Sequence, residues 1–154
     1  MVGASGQGYR ESLARVAEHY RDAGAEVVVD EFLQARSPNY RDILERALPG
    51  SLAQALTDAG TAFEHEVPGL IDWQIDEAEA RRIHQPVLSV LGGESETLWP
   101  RFGETHRWLL AHLSDVDGCI LPGTTHLLQI EDPRGMAEAL VAFWSRHPIP
   151  ASAA

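Results

Sequence analysis

Two stretches of sequence decide the fold: PVLSVLGGESETLWP at residues 86–100 and CILPGTTHLLQIEDP at residues 119–133. Each opens with a short apolar run, residues 87–91 and 119–121, that ends at glycine or at proline and glycine. Short apolar runs closed by turn residues predict strands, and the first of them is expected to be buried on both faces. With one helix predicted between the strands and another after Asp132, the segment is typical of a parallel βαβα unit with a right-handed crossover.

The two helices of this unit have different signals. The first is predicted from an apolar face that comprises Phe102, Leu109, Leu110 and Leu113. The second begins with Asp132 as N-cap and Pro133 in the first helical position, and His147-Pro148 ends it. Its predicted buried stripe comprises Met136, Leu140, Phe143 and Trp144.

The first half of the chain is predicted to be helical. Apolar residues recur at helical spacing in three segments, at residues 9–20, 40–48 and 52–63. Between the first two, the run Val27 to Val29 favours a strand, whereas Phe32 and Leu33 at helical spacing favour a helix. We expect a helix there.

Composition bounds the function. The chain has 154 residues, which suit one domain, and a net charge of -11 from 23 acidic and 12 basic side chains. Such a charge argues against nucleic acid and membrane surfaces as partners. All the basic residues are arginine, which excludes Schiff-base lysine chemistry and Walker-type phosphate loops. Cys119 is the single cysteine, so neither an internal disulfide nor a cysteine-based metal site is expected.

Two further features of the sequence predict the cellular location of the protein and the completeness of its sheet. No apolar run is long enough to span a membrane and the first ten residues are polar, so we expect a cytoplasmic protein without a signal peptide. Two parallel strands alone leave edges and part of their faces uncovered. We therefore expect further strands to precede Met1, and self-association through the exposed sheet edge in their absence.

The loops after the two predicted strands carry the polar residues of interest. The first runs from Gly92 to Pro100, and the second from Leu121 to Leu128. Open parallel sheets place their ligands at the carboxyl ends of the strands, where both loops begin. The sequence therefore predicts that these two loops form a common site.

These loops resemble the last two of the α/β-hydrolase family. In that family a Gly-x-x-(x)-Asp-x-x-x-Pro loop carries the acid, and a glycine turn then leads to histidine, an apolar pair, an acidic residue, proline and a last helix. The resemblance covers residues 85–148, and residues 8–75 resemble more loosely the helical cap of many members. It implies a partial α/β-hydrolase fold, with a cap-like region at 1–80, the βαβα part of the core at 81–150 and a disordered tail at 151–154.

The resemblance also implies roles for individual residues. His126 takes the position of the general base, and Glu96 that of the acid which orients it. Glu94, or an acid in another part of the fold, remains an alternative to Glu96. The substrate-binding candidates are Trp73, Trp99 and Leu127. No cofactor and no metal ion are implied.

The family's nucleophile has no counterpart in this sequence. The segment around Ser5 (Gly3-Ala4-Ser5-Gly6-Gln7-Gly8) has its glycines at the wrong offset for a Gly-x-Ser-x-Gly elbow, and no strand precedes it. We expect the nucleophile and the oxyanion hole to lie outside this sequence. The implied activity of the complete protein is hydrolysis of an ester or related bond in a small molecule. The alternative is a non-catalytic, truncated or degenerate hydrolase that binds a small molecule or a protein.

Overall fold

The computed structural model describes residues 3–148 of the protein. This part of the chain is mostly helical and includes a two-stranded parallel sheet, which places it in the coarse α/β class. The chain divides into two compact units between Asp76 and Glu77, whereas the division predicted from the sequence lies after residue 80. The predicted tail at 151–154 lies outside the described residues. No helix among residues 3–148 is both long and apolar enough to cross a bilayer.

The first unit consists of helices. Their bounds are α1 Gly3–Ala23, α2 Ala25–Gln34, α3 Tyr40–Ala47, α4 Ser51–Thr61 and α5 Val67–Asp72, with a π-helical turn, Ala62–Glu66, joining α4 to α5. Gly24 ends α1 with a φ of 81°, a conformation that glycine adopts without strain. The helix expected over residues 27–33 is confirmed as α2.

A single apolar cluster holds the first unit together. Its buried members are Leu13, Val28, Val29, Ala59, Phe63 and Val67. Phe63 lies in the π-helical turn, where its ring stacks on Tyr20 at 5.1 Å and meets the edge of Phe32 at 5.4 Å. The β-branched run is therefore helical because its second and third valines fill this core, and tertiary packing outweighs their intrinsic preference for strands.

The second unit contains the sheet. Its elements are α6 Glu77–Ala80, β1 Val87–Gly92, α7 Ser95–Leu98, α8 Pro100–His112, β2 Val116–Leu121, α9 Leu128–Glu131 and α10 Pro133–Arg146. Strands β1 and β2 pair in parallel, with Val87 opposite Val116 and Gly92 opposite Leu121. The predicted order of strand, helix, strand and helix is confirmed, with the short helices α7 and α9 added at the loops.

The two long helices of this unit contact opposite faces of the sheet. Ser89 of β1 bonds to α8 through His106, and Asp117 of β2 bonds to α10 through Arg146 at 2.6 Å. Successive side chains of a strand point to opposite faces. Ser89 is paired with Gly118, so these two residues share a face, and Asp117, one residue before Gly118, points to the other face. The contacts with α8 and with α10 therefore lie on different faces.

Two details of burial correct the sequence predictions. Trp144 was expected in the buried stripe of α10, but 52% of it is exposed, whereas its neighbour Phe143 is buried. Successive helix residues point about 100° apart, and a sheet this narrow covers only a thin stripe of the helix. Strand β1 was expected to be buried on both faces, yet Leu88 and Val90 are only half-buried. This burial is partial because β1 has a single paired neighbour in the described chain, β2, so its other edge is not covered by a strand.

Candidate functional site

The loops that follow β1 and β2 meet at the carboxyl edge of the sheet. The backbone N–H of Gly93 donates to the carbonyl of Leu121 at 2.8 Å, and that of Glu94 donates to the carbonyl of Thr124 at 2.8 Å. Gly92 lies so close to the second loop that a Cβ there would be 2.1 Å from the carbonyl oxygen of Thr125. The structure thus brings together the two loops that the sequence predicted to form a common site.

The loop before His126 is held by its own hydrogen bonds. The Thr124 hydroxyl donates to the Leu121 carbonyl at 2.9 Å. The Thr125 hydroxyl donates to the carboxylate of Glu131 at 2.6 Å, and the backbone N–H of Thr125 donates to the same carboxylate. Gly123 has a φ of 70°. The chain therefore reaches His126 on a backbone that is fixed at two preceding residues.

His126 is a half-buried side chain with an aromatic support. Its imidazole ring stacks on the Phe102 ring, with centroids 3.8 Å apart and planes inclined by 15°. The edge of Trp99 in turn meets Phe102, with centroids 5.8 Å apart. Trp99 directly precedes α8, which begins at Pro100. The position of the histidine ring therefore depends on the first turn of α8.

Glu96, on α7, has a charged partner on the next helix, α8. Arg107 Nη1 donates to Glu96 Oε1 at 2.8 Å, and 43% of the Glu96 side chain is exposed. Its carboxyl carbon occupies the space above Gly103, where a Cβ would be 2.0 Å away. Glu96 and His126 thus contact consecutive residues of α8, Gly103 and Phe102. A functional pairing of Glu96 with His126 stays a prediction.

The remaining predicted residues fall in different places. The side chain of Glu94, the alternative acid, is exposed, and its backbone N–H joins the two loops. Trp99 is half-buried beside Phe102, and Leu127, also half-buried, immediately precedes α9. Trp73 follows α5 in the first unit and is 55% exposed. Ser5 lies within α1, and its side chain is outside the described residues.

A buried polar pair escaped the sequence analysis. Ser89 Oγ lies 2.8 Å from His106 Nδ1, and both residues are buried between β1 and α8. Burial lowers the pKa of His106 below its usual value of 6.5, and the charge of Arg107 lowers it further, while Glu96 opposes both effects. The available signal was a serine that interrupts the apolar run of residues 87–91. The sequence does not show that His106, 17 residues further on, is the partner of this serine, because the packing of α8 on β1 brings the two together.

Ser95 is another polar residue that the sequence did not single out. It is fully buried at the start of α7, and its hydroxyl has no hydrogen-bond partner among the described residues. A Cβ on Gly92 would lie 2.8 Å from this hydroxyl and 2.8 Å from the carbonyl oxygen of Thr124. Ser95 therefore packs into the junction of the two loops.

Metal ligation finds no support within residues 3–148, where no three His, Cys, Asp or Glu side chains come together as a metal site requires. Comparisons of the chain with protein-family models, with curated proteins and with solved structures gave no match.

Proposed function

We propose that the second unit is the last βαβα part of an α/β-hydrolase, with His126 as general base. The observation that carries the proposal is the junction of two loops at the carboxyl ends of adjacent parallel strands. The loop after β1 carries Glu96 and the loop after β2 carries His126, in the order of the family's acid and histidine. In this proposal the helices of the first unit correspond to the family's cap.

The proposed reaction is hydrolysis of an ester or a related bond in a small molecule. His126 takes the proton of a nucleophilic hydroxyl and later gives it to the leaving group, and the acid holds the imidazole in the required tautomer. The nucleophile and the oxyanion-hole donors come from sequence outside these residues. Leu127 follows His126 in the chain and Trp99 packs against Phe102, which supports the His126 ring, and we propose that Trp99 and Leu127 contact the substrate. Trp73, in the first unit, remains a substrate-binding candidate from the sequence.

The ion pair of Glu96 is compatible with the role of the acid. Exposed ion pairs contribute about 1 kcal/mol or less, because water and salt screen them. The Glu96–Arg107 pair is of this exposed kind. A buried hydrogen bond from imidazolium to carboxylate contributes more than such a pair. The carboxylate would therefore exchange Arg107 for His126 once a complete site buries both groups.

The alternative is a non-catalytic module that binds a small molecule or a protein. Two contacts favour this alternative, because each residue has a structural partner in place of the other: the carboxylate of Glu96 accepts from Arg107, and the ring of His126 stacks on Phe102. Under this alternative, the two residues fix α8 against the loops and do no chemistry.

An ester assay tests the absence of a nucleophile. The purified chain should show no burst with p-nitrophenyl acetate. Any slow turnover should resemble that of free imidazole and disappear in His126→Ala. The control variant His84→Ala, at an exposed position, should keep the turnover of the wild-type chain. Saturable turnover that a serine-directed fluorophosphonate abolishes would show that a serine of this chain is the nucleophile, contrary to the proposal.

The native gene product decides between the two functions. A fluorophosphonate probe and intact-mass analysis should be applied to the protein from its own cells. A labelled product that is longer than 154 residues and contains a Gly-x-Ser-x-Gly elbow would support the hydrolase. An unlabelled native product that begins at Met1 would favour the non-catalytic module.

A further inference from the structure

The first unit contains a cavity that the proposed hydrolase chemistry does not use. Its volume is about 210 Å³, and it is open to solvent on one side. Residues of α2, α3 and α4 line it. The apolar part of the wall comprises Val29, Leu52 and Leu56, and the polar part comprises Glu26, Asp30, Tyr40 and Arg41.

The charges of the polar wall do not cancel. Asp30 Oδ1 accepts hydrogen bonds from the Tyr40 hydroxyl and from Arg41, whose Nε lies at 3.1 Å and Nη2 at 2.5 Å. These bonds hold the pKa of Asp30 below its usual value, so this carboxylate is ionised and neutralises Arg41. The carboxylate of Glu26 carries the remaining charge of the cavity, which is negative.

The size of the cavity limits its occupant. An apolar cavity of about 150 Å³ holds benzene, and pockets for drug-sized ligands span about 300–1,000 Å³. At about 210 Å³, this cavity suits a ring of benzene size with a short substituent. Val29 is buried, and Leu52 and Leu56 are half-buried, so the wall provides an apolar surface for such a ring.

We propose that this cavity binds a compact monoamine, with the apolar body against Val29, Leu52 and Leu56 and the ammonium group paired with Glu26. A carboxylate ligand would meet Arg41, but Asp30 already neutralises that guanidinium and the carboxylate of Glu26 would repel a second anion. A neutral ligand of the same shape would gain only the apolar contacts. The inference concerns a site in the helical unit and does not depend on hydrolase activity.

Three probes of one shape test the proposal: benzylamine, benzyl alcohol and benzoate. Each is titrated at neutral pH into the intact chain and followed by NMR through the methyl groups of Val29, Leu52 and Leu56. Benzylamine should shift these signals saturably. Because Glu26 is exposed and water screens such ion pairs, benzyl alcohol should bind more weakly by up to about fivefold, which corresponds to about 1 kcal/mol. Benzoate binding as tight as that of benzylamine would overturn the proposal.

Matched variants locate the binding. Glu26→Gln should weaken benzylamine by up to about fivefold and leave the affinity for benzyl alcohol unchanged. Glu45→Gln, an exposed carboxylate of α3 outside the cavity, should change neither affinity. Leu56→Phe fills the cavity and should abolish binding of both ligands with the helical circular-dichroism signal retained. Unchanged benzylamine affinity in Glu26→Gln, or absence of saturable shifts at millimolar benzylamine, would overturn the assignment.

Discussion

The imidazole of His126 lies flat on the phenyl ring of Phe102, 3.8 Å from it between centroids. Phe102 is one helical turn before His106 on α8, and His106 is bonded to Ser89 in the middle of β1. The buried pair therefore fixes α8 on the sheet, and α8 in turn supports the ring of His126. The orientation of the proposed base depends on contacts outside its own loop.

Replacing Phe102 with alanine should release the histidine ring. A proton held above a phenyl ring is shifted upfield, so the ring protons of His126 should move downfield and sharpen in Phe102→Ala. Two-dimensional NMR of the histidine ring protons measures the effect. Trp108→Leu is the matched control, because it removes the ring that stacks on His112 at 4.6 Å and should move only the signals of His112. Unmoved His126 signals in Phe102→Ala would contradict the stack.

Gly103→Ala should disturb the acid rather than the helix. The new Cβ would lie 2.0 Å from the carboxyl carbon of Glu96, which is the end of a flexible side chain and can move away. In the Glu96→Ala background the clash is absent, and the helix should gain about 1 kcal/mol from replacing glycine with alanine. Urea denaturation of the four proteins of this cycle measures the coupling between the two sites. Equal effects in both backgrounds would show that Glu96 does not occupy this space.

Gly92→Ala should separate the two loops. Its Cβ would meet the backbone oxygens of Thr125 at 2.1 Å and Thr124 at 2.8 Å, which cannot move without displacing the loop before His126. We expect a loss of about 1–3 kcal/mol in the free energy of unfolding, measured by urea denaturation. Gly93→Ala is the control next to it, since its closest contact would be 3.3 Å and its cost should be smaller. The reverse order of costs would mean that the loops join differently.

The stability of the second unit should decrease as the pH falls below about 6.5. The pKa of His106 is lower in the folded protein than its usual 6.5, so the unfolded chain binds the proton more readily. The contribution of the neutral ring is complete above pH 6.5 and is lost as the pH falls towards the folded-state pKa. Urea denaturation at a series of pH values should show a shallower decrease for His106→Gln. His84→Gln, an exposed site, should retain the wild-type slope.

Local signals explain what the sequence predicted correctly. Asp132 acts as N-cap because its carboxylate can reach the backbone N–H of Gly135, three residues on, and in the structure this distance is 2.9 Å. Glycine after the first apolar run, and proline and glycine after the second, placed the ends of β1 and β2 to within a residue. These features depend on neighbours within a few positions, which a sequence displays directly.

Contacts that depend on packing were not predictable in the same way. The sequence places Glu96 after the first strand and His126 after the second. It does not show that Arg107, on the helix after Glu96, donates to the Glu96 carboxylate. It shows an apolar Trp144 at core spacing, but not how much of α10 a two-stranded sheet covers. The rotation of a helix about its axis and the area available beneath it are properties of the assembled unit.

The uncovered surface of the second unit should make the isolated chain associate. Each strand has one paired neighbour in the described chain, so both outer edges carry unpaired backbone groups. Ile120 of β2 is 57% exposed, and Val141 of α10 is 62% exposed. Burial of apolar surface contributes about 25 cal/mol per Å², so covering a few hundred Å² gains several kcal/mol, comparable to the stability of a whole domain.

Size-exclusion chromatography over a concentration series, with ANS fluorescence, measures this association. We expect larger species at higher concentration and dye binding to the wild-type chain. Ile120→Lys places a charge beside the edge of β2 and should reduce both, as edge charges do in natural sheets. Leu70→Lys, at an exposed apolar position of α5, is the control and should change neither. A monodisperse monomer that ignores the dye and melts cooperatively above about 60 °C would refute the expectation, because it would show that the exposed edge and apolar side chains cost the fold little.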